Sequence, residues 1–232
     1  MNNSIEPALY IVSTPIGNLE DISFRAVKIL KNVDIIACED TRTSGRLLKE
    51  LDIQYRKLVS YHEHNELEQS KRLIDDVLQG KSIALISDAG TPLISDPGYR
   101  IVNLAVQHGI KVIPVPGASS FLAALSASGF STNRFTFAGF APQKKGRMTF
   151  LKDILAIENT VILFESTHRI EKLVNELHEI AGPKRKVCIA REITKLYEEF
   201  IYGDLEEVKK IIADKKALKG EIVVILEEFK KD

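Results

Sequence analysis

The chain has no excess of charge of either sign and only two cysteines. Its 232 residues contain 32 Lys and Arg and 32 Asp and Glu, so the net charge at pH 7 is zero and the molecule as a whole does not attract polyanions. Any contact with nucleic acid must come from local basic patches. Cys38 and Cys188 offer neither a zinc spacing nor a disulfide framework, and each ends an apolar run, so we expect two inert core thiols.

Signals for secretion and membrane insertion are also missing. The N-terminal residues 1–7 have neither the basic segment nor the apolar core of a signal peptide. The longest uncharged stretch, residues 112–133, contains Pro114, Pro116 and Gly117, which favour a strand, a loop and a helix over a bilayer span. These features predict a cytoplasmic protein without membrane contact.

Familiar phosphate, dinucleotide and metal motifs are incomplete. Residues 80–82 read Gly-Lys-Ser, the tail of a P-loop, but Asp75 occupies the position of its first glycine. Residues 14–18 contain one glycine where a dinucleotide fold has three. Residues 62–64 read His-Glu-His but lack a third histidine or cysteine at metal spacing, so we expect no metal site.

Short apolar runs alternate with amphipathic helical patterns along the whole chain. The runs predict strands at residues 9–13, 33–38, 83–86, 112–115, 160–164, 187–190 and 222–226. Asp21 is the expected N-cap of the first helix. The alternation predicts an α/β protein of two lobes, residues 1–117 and 118–232, each a mostly parallel or mixed sheet flanked by helices.

Four loops of small and polar residues follow predicted strands of the first lobe. They cover residues 13–18, 39–44, 87–98 and 116–120. Carboxyl ends of parallel strands open on one edge of a sheet, and ligands of α/β proteins bind there. Small residues let a ligand approach the backbone. We therefore expect the binding site at this edge, with the stiff loop 87–98 as its main wall.

Eight segments carry motifs specific enough to indicate a family. They are TPIGNLED at 14–21, CEDTRTS at 38–44, SDAGTP at 87–92 with SDPG at 95–98, PVPGAS at 114–119, FAPQKKGR at 140–147, FESTHR at 164–169, ARE at 190–192 and GEIVV at 220–224. They are spread in order over nearly the whole chain, from residue 14 to residue 224. In this the chain resembles the tetrapyrrole methylase superfamily, and within it the enzymes that methylate ribosomal RNA of the small subunit.

The resemblance implies a two-lobed class III methyltransferase fold, usually a homodimer, with S-adenosylmethionine bound between the lobes. It implies methylation of the ribose 2′-oxygen of a cytidine in the decoding region of 16S ribosomal RNA. Matched by position, the implied cofactor residues are Pro15, Asp88, Ala89, Gly90, Leu93, Ile94, Ser119, Ser120, Phe164, Ala190 and Ile222. Two alternatives stay open: methylation of a small porphyrinoid molecule, and a non-catalytic RNA-binding or assembly module.

Methyl transfer to a ribose hydroxyl needs an oriented acceptor and benefits from a proton acceptor, since the hydroxyl is a poor nucleophile. Asp40 is the first candidate for this base and Glu165 the second. The alternative for Asp40 is a structural ion-pair cluster with Glu39 and Arg42. Arg42, Arg169 and Arg191 are candidate cations near the acceptor.

The expected contact with the RNA backbone is the basic loop that contains Lys144, Lys145 and Arg147. Ribosomal RNA methyltransferases of this kind usually continue into a helical C-terminal extension, whereas this sequence stops at Asp232. If such an extension grips the ribosomal subunit, we expect weaker substrate binding here.

Overall fold

The structure, a computed structural model, describes residues 5–215 and 220–229. It divides into two compact units, with the division between residues 119 and 120. We call them unit 1 and unit 2 in chain order. No helix among the described residues is long and apolar enough to cross a bilayer.

Unit 1 is built on a five-stranded, fully parallel sheet. The strands are β1 Leu9–Val12, β2 Ile35–Cys38, β3 Leu58–Ser60, β4 Ile83–Ile86 and β5 Val112–Val115, in the spatial order β3-β2-β4-β1-β5. The helices are α1 Phe24–Asn32, α2 Thr41–Glu50, α3 Glu66–Leu78 and α4 Tyr99–Gln107. All carboxyl ends of the strands therefore open on one edge, as the sequence predicted.

Both faces of this sheet are covered, because successive side chains of a strand point to opposite sides. In β2, Ile36 and Cys38 join the core formed with α1 and α2, whereas Ile35 and Ala37 join the core formed with α3 and α4. Burial on both faces explains why β2 and β4 are continuous apolar runs. Cys38 is fully buried, as expected of a core thiol.

Three details of unit 1 differ from the sequence prediction. Asp21 does not cap α1: it belongs to a single 3-10 turn, and the Ser23 hydroxyl accepts the hydrogen bond from the Ala26 amide. β2 starts at Ile35 because Val33 still ends α1, its N–H bonded to the carbonyl of Ile29. β3 was missed, since it is a three-residue edge strand without a fully buried side chain.

Unit 2 is built on a mixed five-stranded sheet. The strands are β6 Phe135–Phe140, β7 Thr160–Ser166, β8 Lys186–Arg191, β9 Glu199–Asp204 and β10 Glu221–Leu226, in the order β6-β7-β10-β8-β9. Only β6 and β7 are parallel, and the other pairs are antiparallel. The helices are α5 Ser120–Ala127, α6 Arg147–Leu155, α7 Ile170–Ala181 and α8 Leu205–Asp214.

The two faces of the second sheet have different coverings. Leu163 and Val224 point to the face that packs against α6, α7 and α8. The opposite face carries Phe164, whose ring lies 4.9 Å from that of Phe137 and 5.3 Å from that of Phe140, measured between ring centres. This second face is the aromatic face, and α5 packs against it, with the ring centre of Phe121 4.6 Å from that of Phe137.

Candidate active site

Two loops at the carboxyl edge of unit 1 are joined by their backbones. The Thr14 amide donates to the carbonyl of Gly90 over 2.8 Å, and the Gly90 amide donates to the carbonyl of Thr14 over 3.1 Å. The Thr14 hydroxyl also donates to the carbonyl of Ser87 over 3.1 Å. The loops after β1 and β4 are thus held in one fixed arrangement, although each contains residues typical of flexible turns.

The loop after β5 is fixed to the same structure. The Ser13 and Thr91 hydroxyl oxygens lie 2.9 Å apart, and Thr91 Oγ1 donates to the carbonyl of Ala118 over 3.2 Å. A Cβ atom at Gly117 would lie 2.8 Å from Cβ of Ser13, so only glycine allows these loops to pack this closely. Three of the four loops predicted from the sequence therefore form one rigid shelf.

The segment 88–98 is strained as well as fixed. Leu93 and Ser95 have φ values of 74° and 65°, in the left-handed region that non-glycine residues rarely occupy. Gly98, at φ 141°, lies so close to Leu93 that an added Cβ would be 2.9 Å from the leucine Cγ. Backbone strain of this kind persists where the surrounding structure holds it, which is common at ligand sites.

Acidic side chains gather along this edge, and they affect one another. Burial and the neighbouring carboxylates of Asp88 and Glu63 raise the pKa of Glu39. Burial raises the pKa of Asp88, although the hydrogen bond that its carboxylate accepts from the Asp40 amide opposes this effect. Burial and the charge of Glu39 raise the pKa of Asp96 to about 6. The edge therefore has a negative electrostatic potential, which suits a cationic ligand.

Asp40 differs from the other acids of the edge. Its carboxylate caps α2 by accepting from the Arg42 amide, and it also accepts from Nε and Nη2 of the Arg42 side chain at 3.1 and 2.7 Å. These hydrogen bonds lower the pKa of Asp40 to about 2. The interpretation of Asp40 and Arg42 as a structural ion pair therefore agrees with the geometry, and a carboxylate with this pKa is a weak proton acceptor.

Glu165, the second candidate base, lies in unit 2 with its side chain fully buried. One carboxylate oxygen accepts from both Nη atoms of Arg147, and the other accepts from Nε of Arg169 and from the Ser166 amide. Both oxygens are occupied by donors. Glu165 is therefore arranged to hold two arginines in place, and a free proton-accepting lone pair is not available to substrate.

The placement of Arg147 corrects the sequence prediction. Its side chain is only 3% exposed and is bound to Glu165 and Glu176, so it does not belong to a solvated basic loop. Gly146 turns the chain at φ 82° and Arg147 begins α6, which directs the guanidinium into the core. Lys144 and Lys145 remain exposed, as predicted.

The three implied cofactor residues of unit 2 do not share one face of the sheet. Phe164 and Ala190 are both paired with Val223 across β10, so these three side chains point to the aromatic face. Ile222 is paired with Glu165 and Arg191, and it packs in the core against the helices. The expected contact of Ile222 with the cofactor therefore stays a prediction, and from the aromatic face only the backbone of Ile222 could make it, because adjacent residues of a strand alternate between faces.

The other predicted site residues have varied surroundings. Asp88, Ala89 and Ile94 are exposed, Leu93, Ser119 and Ser120 are half-buried, and Pro15 and Gly90 are buried. Arg169 is held by Glu165, and Arg191 is 3.3 Å from a carboxylate oxygen of Glu199. Arg42 is the most exposed of these cations, with 90% of its side chain accessible.

Sequence reasoning missed the roles of three residues at the edge. Thr14 and Thr91 supply the bonds that join the loops, and Asp96 carries a carboxyl group whose pKa is raised by burial to about 6. Both threonines stand in segments already singled out, but their partners are distant in sequence. In residues 5–215 and 220–229, no three His, Cys, Asp or Glu side chains converge as a metal site would require.

Comparison with known proteins decides the family. The model of the tetrapyrrole (corrin/porphyrin) methylases matches residues 8–209. The chain belongs to the tetrapyrrole methylase family. Its resemblance to this family, inferred from the sequence, is confirmed, and so is its α/β fold.

Relatives of this tetrapyrrole methylase include two curated proteins named Ribosomal RNA small subunit methyltransferase I. The one from Halalkalibacterium halodurans is 51% identical over 220 residues, which cover 94% of this chain and 75% of the relative. The one from Mesorhizobium japonicum is 50% identical over 221 residues, covering 95% and 75%.

A solved structure with the same fold is the uroporphyrin-III C-methyltransferase of Thermus thermophilus complexed with S-adenyl homocysteine. It is 18% identical, with a TM-score of 0.64, and the match covers 95% of this chain and 97% of that one. At this identity the likeness extends to the fold.

Proposed function

We propose that this tetrapyrrole methylase transfers the methyl group of S-adenosylmethionine to the ribose 2′-oxygen of a cytidine in the decoding region of 16S ribosomal RNA. The observation that carries the proposal is the identity of about half the residues, over nearly the whole chain, with methyltransferases of small-subunit ribosomal RNA. Identity to the porphyrin enzyme is 18%, which favours RNA over a porphyrinoid substrate.

The carboxyl edge of unit 1 fits the cofactor chemically. S-adenosylmethionine carries a sulfonium and an ammonium cation, and the carboxylates of Glu39, Asp88 and Asp96 provide a negative field in which both are stabilised. Asp88 and Ala89 are exposed on a shelf that the Thr14–Gly90 bonds hold still. We assign to this shelf the binding of the cofactor, which supplies an electrophilic methyl group.

The protein's part in the transfer is orientation and proton acceptance. An in-line displacement needs the acceptor oxygen held behind the methyl group, which a rigid shelf favours. A general base works best when its pKa lies near the working pH. Asp96, with a pKa of about 6, meets this condition better than Asp40, with a pKa of about 2, or Glu165, whose oxygens are occupied.

Contacts with RNA are assigned to exposed cations. Lys144 and Lys145 stand in an exposed turn before α6, and the Arg42 side chain projects from the first turn of α2. Phosphate contacts of this type position an RNA without reading its sequence. Arg169 and Arg191 are bound to carboxylates as Arg42 is, but their side chains are only 23% and 18% exposed, so we assign them the positioning of neighbouring side chains.

The decisive experiment uses the purified protein, methyl-labelled S-adenosylmethionine and small ribosomal subunits that lack this methyl group. Mass spectrometry of nuclease fragments should place the label on one cytidine ribose. Label on uroporphyrinogen in a parallel reaction, with none on RNA, would instead support the porphyrinoid alternative. If neither the RNA nor the uroporphyrinogen is labelled, the result would favour a non-catalytic module.

A matched pair of variants tests the site itself. Asp88→Arg places a cation on the shelf and should abolish cofactor binding in calorimetry. Asp75→Arg makes the same charge change on the exposed face of α3 and should leave binding unchanged. Equal affinity of the two variants would exclude the shelf as the cofactor site.

We also propose that the protein is a homodimer in the cytoplasm, as the family resemblance implies. Sedimentation equilibrium at several protein concentrations should give twice the mass of 26.0 kDa expected for one chain. A constant mass of one chain would contradict the dimer. Fractionation of cells that express a tagged chain tests the compartment.

A further inference from the structure

A groove of about 570 Å³ in unit 2 is lined by residues with no role in the proposed methyl transfer. Its walls are the last turns of α6 and α7, the segment 184–186 before and at the start of β8, and the segment 227–229 after β10. Four cations line it: Lys152, Lys184, Arg185 and Lys186. Two carboxylates, Glu227 and Glu228, leave an excess of positive charge.

Arg185 is the central feature of this groove. Its Nε and Nη2 atoms are buried and have no hydrogen-bond partner among residues 5–215 and 220–229. The guanidinium carbon lies over the Phe229 ring, 5.4 Å from its centre, within the range of a cation–π contact. Burial lowers the pKa of Arg185, and the charge of Glu227 opposes this effect.

Buried donors without partners are rare in folded proteins, because each loses the hydrogen bonds that water would supply. A guanidinium presents its N–H groups in a fixed fork that matches the oxygens of a phosphate. The nitrogens of Arg185 that lack a partner in the described part of the chain therefore favour an acceptor supplied by a bound ligand.

The three lysines support the same interpretation. Lys152, Lys184 and Lys186 are exposed, and none has a carboxylate within ion-pair distance among the residues that the structure describes. The C-terminal ends of α6 and α7 act against an anion, since the helix dipole is negative there. A site for an anion at this place consequently needs several cations, and the groove supplies four.

We propose that this groove, centred on Arg185, binds a phosphate group of the RNA backbone. The choice of RNA rests on the proposed function, whereas the phosphate chemistry rests on the groove alone. A chain with zero net charge cannot hold RNA by its overall field, so a local site of this kind adds affinity without reading sequence.

The test uses the full chain and two variants with reduced groove charge. Arg185→Met keeps the apolar stem and removes the fork, and Lys184→Gln with Lys186→Gln removes two exposed charges without touching the core. The control, Lys31→Gln with Lys71→Gln, removes two exposed charges from α1 and α3 of unit 1. Circular dichroism establishes that each variant is folded.

Binding is measured by fluorescence anisotropy with a labelled single-stranded RNA of small-subunit sequence, from 50 to 300 mM KCl. The slope of log K against log salt should fall by about 0.7 for each RNA phosphate that the variant no longer neutralises, in both groove variants and not in the control. Cofactor affinity, measured by calorimetry, should be unchanged. An unaltered slope in both folded groove variants, or an equal change in the control, would overturn the proposal.

A second arm separates an RNA backbone from a small phosphate compound. Inorganic phosphate and a nucleoside monophosphate are titrated while the NMR signal of the Arg185 side chain is recorded. Millimolar binding with competition against RNA supports the backbone contact. Micromolar binding of the small compound without competition would overturn the assignment to RNA. Neither arm measures methylation, so a protein that fails to transfer methyl groups can still confirm or overturn phosphate binding in the groove.

Discussion

Both Nη atoms of Arg147 lie 3.2 Å from the same carboxylate oxygen of Glu165, and neither side chain is more than 3% exposed. Glu176 completes the pairing of Arg147 from α7. The buried arginine at the start of α6 is thereby connected to β7 and to α7. Removal of the central carboxylate would leave buried positive charge without compensation.

We expect Glu165→Gln to lower the free energy of unfolding by about 3 kcal/mol, because breaking one side of a buried ion pair is strongly destabilising. Urea unfolding followed by circular dichroism measures the change. Glu68→Gln removes a surface partner of Arg72 on α3 and should change stability by less than about 0.5 kcal/mol. A Glu165→Gln protein of full stability that has lost methyl transfer would instead make Glu165 the base.

We expect Gly117→Ala to weaken cofactor binding on the order of tenfold or more, since the added methyl group would press against Ser13 and displace the shelf. Calorimetry with S-adenosylmethionine measures the affinity. Gly45→Ala is the control: it lies inside α2, its Cβ would meet nothing closer than 3.9 Å, and alanine favours the helix. If Gly117→Ala binds the cofactor with unchanged affinity, the close packing of these loops is not required for cofactor binding.

We expect stability to fall as the pH rises from about 4 to about 6, to the extent that Asp96 determines it. The pKa of Asp96 rises from its ordinary 3.8 to about 6 on folding, so the folded state holds the proton more tightly across this window. Urea midpoints at several pH values should show a smaller decline in Asp96→Asn than in the unmodified chain.

The same residue gives a kinetic prediction. If Asp96 accepts the proton of the ribose hydroxyl, the rate should rise with pH through about 6 as its carboxylate forms, and Asp96→Asn should lose this dependence. Single-turnover rates with saturating cofactor test it. If Asp96→Asn keeps the full rate and the same pH profile, Asp96 is not the base. The rate of Asp40→Asn then measures the contribution of Asp40, the first candidate from the sequence.

We expect Lys144→Gln with Lys145→Gln to raise KM for ribosomal subunits while kcat stays within about twofold, because exposed lysines contact phosphate in the ground state and the transition state alike. Initial rates at several salt concentrations measure both constants, and the difference in KM should shrink as salt rises. A loss of kcat alone would indicate that the turn contacts the reacting ribose.

The central strand β4 has the predicted bounds because burial on both faces requires a continuous apolar run, and the bounds of the edge strand β5 were also predicted. The missed strands β3, β6 and β9 are edge strands. β6 contains Gly139 and shifts register between Phe137 and Phe140, so it has no regular pattern to detect.

The position of the site at one edge of the sheet could be predicted from the sequence, whereas the contacts of its individual side chains could not. Parallel topology alone places the strand-end loops together. The Thr14–Gly90 bonds, by contrast, join residues 76 positions apart, and the pKa of Asp96 depends on Glu39 across the edge. For Arg147, the surrounding lysines indicate a surface turn, whereas the partners that bury it stand 18 and 29 residues further along.

Each unit contains one buried cysteine, and the rate at which a thiol reagent labels it reports how often that unit opens. Cys38 lies in the sheet of unit 1 and Cys188 in the sheet of unit 2, both fully buried, and burial raises their thiol pKa to about 11 and about 12. A thiol reagent can therefore reach each sulfur only when the strand around it opens. The labelling rate of each cysteine, resolved by peptide mass spectrometry, reports the opening of one unit without any engineered probe.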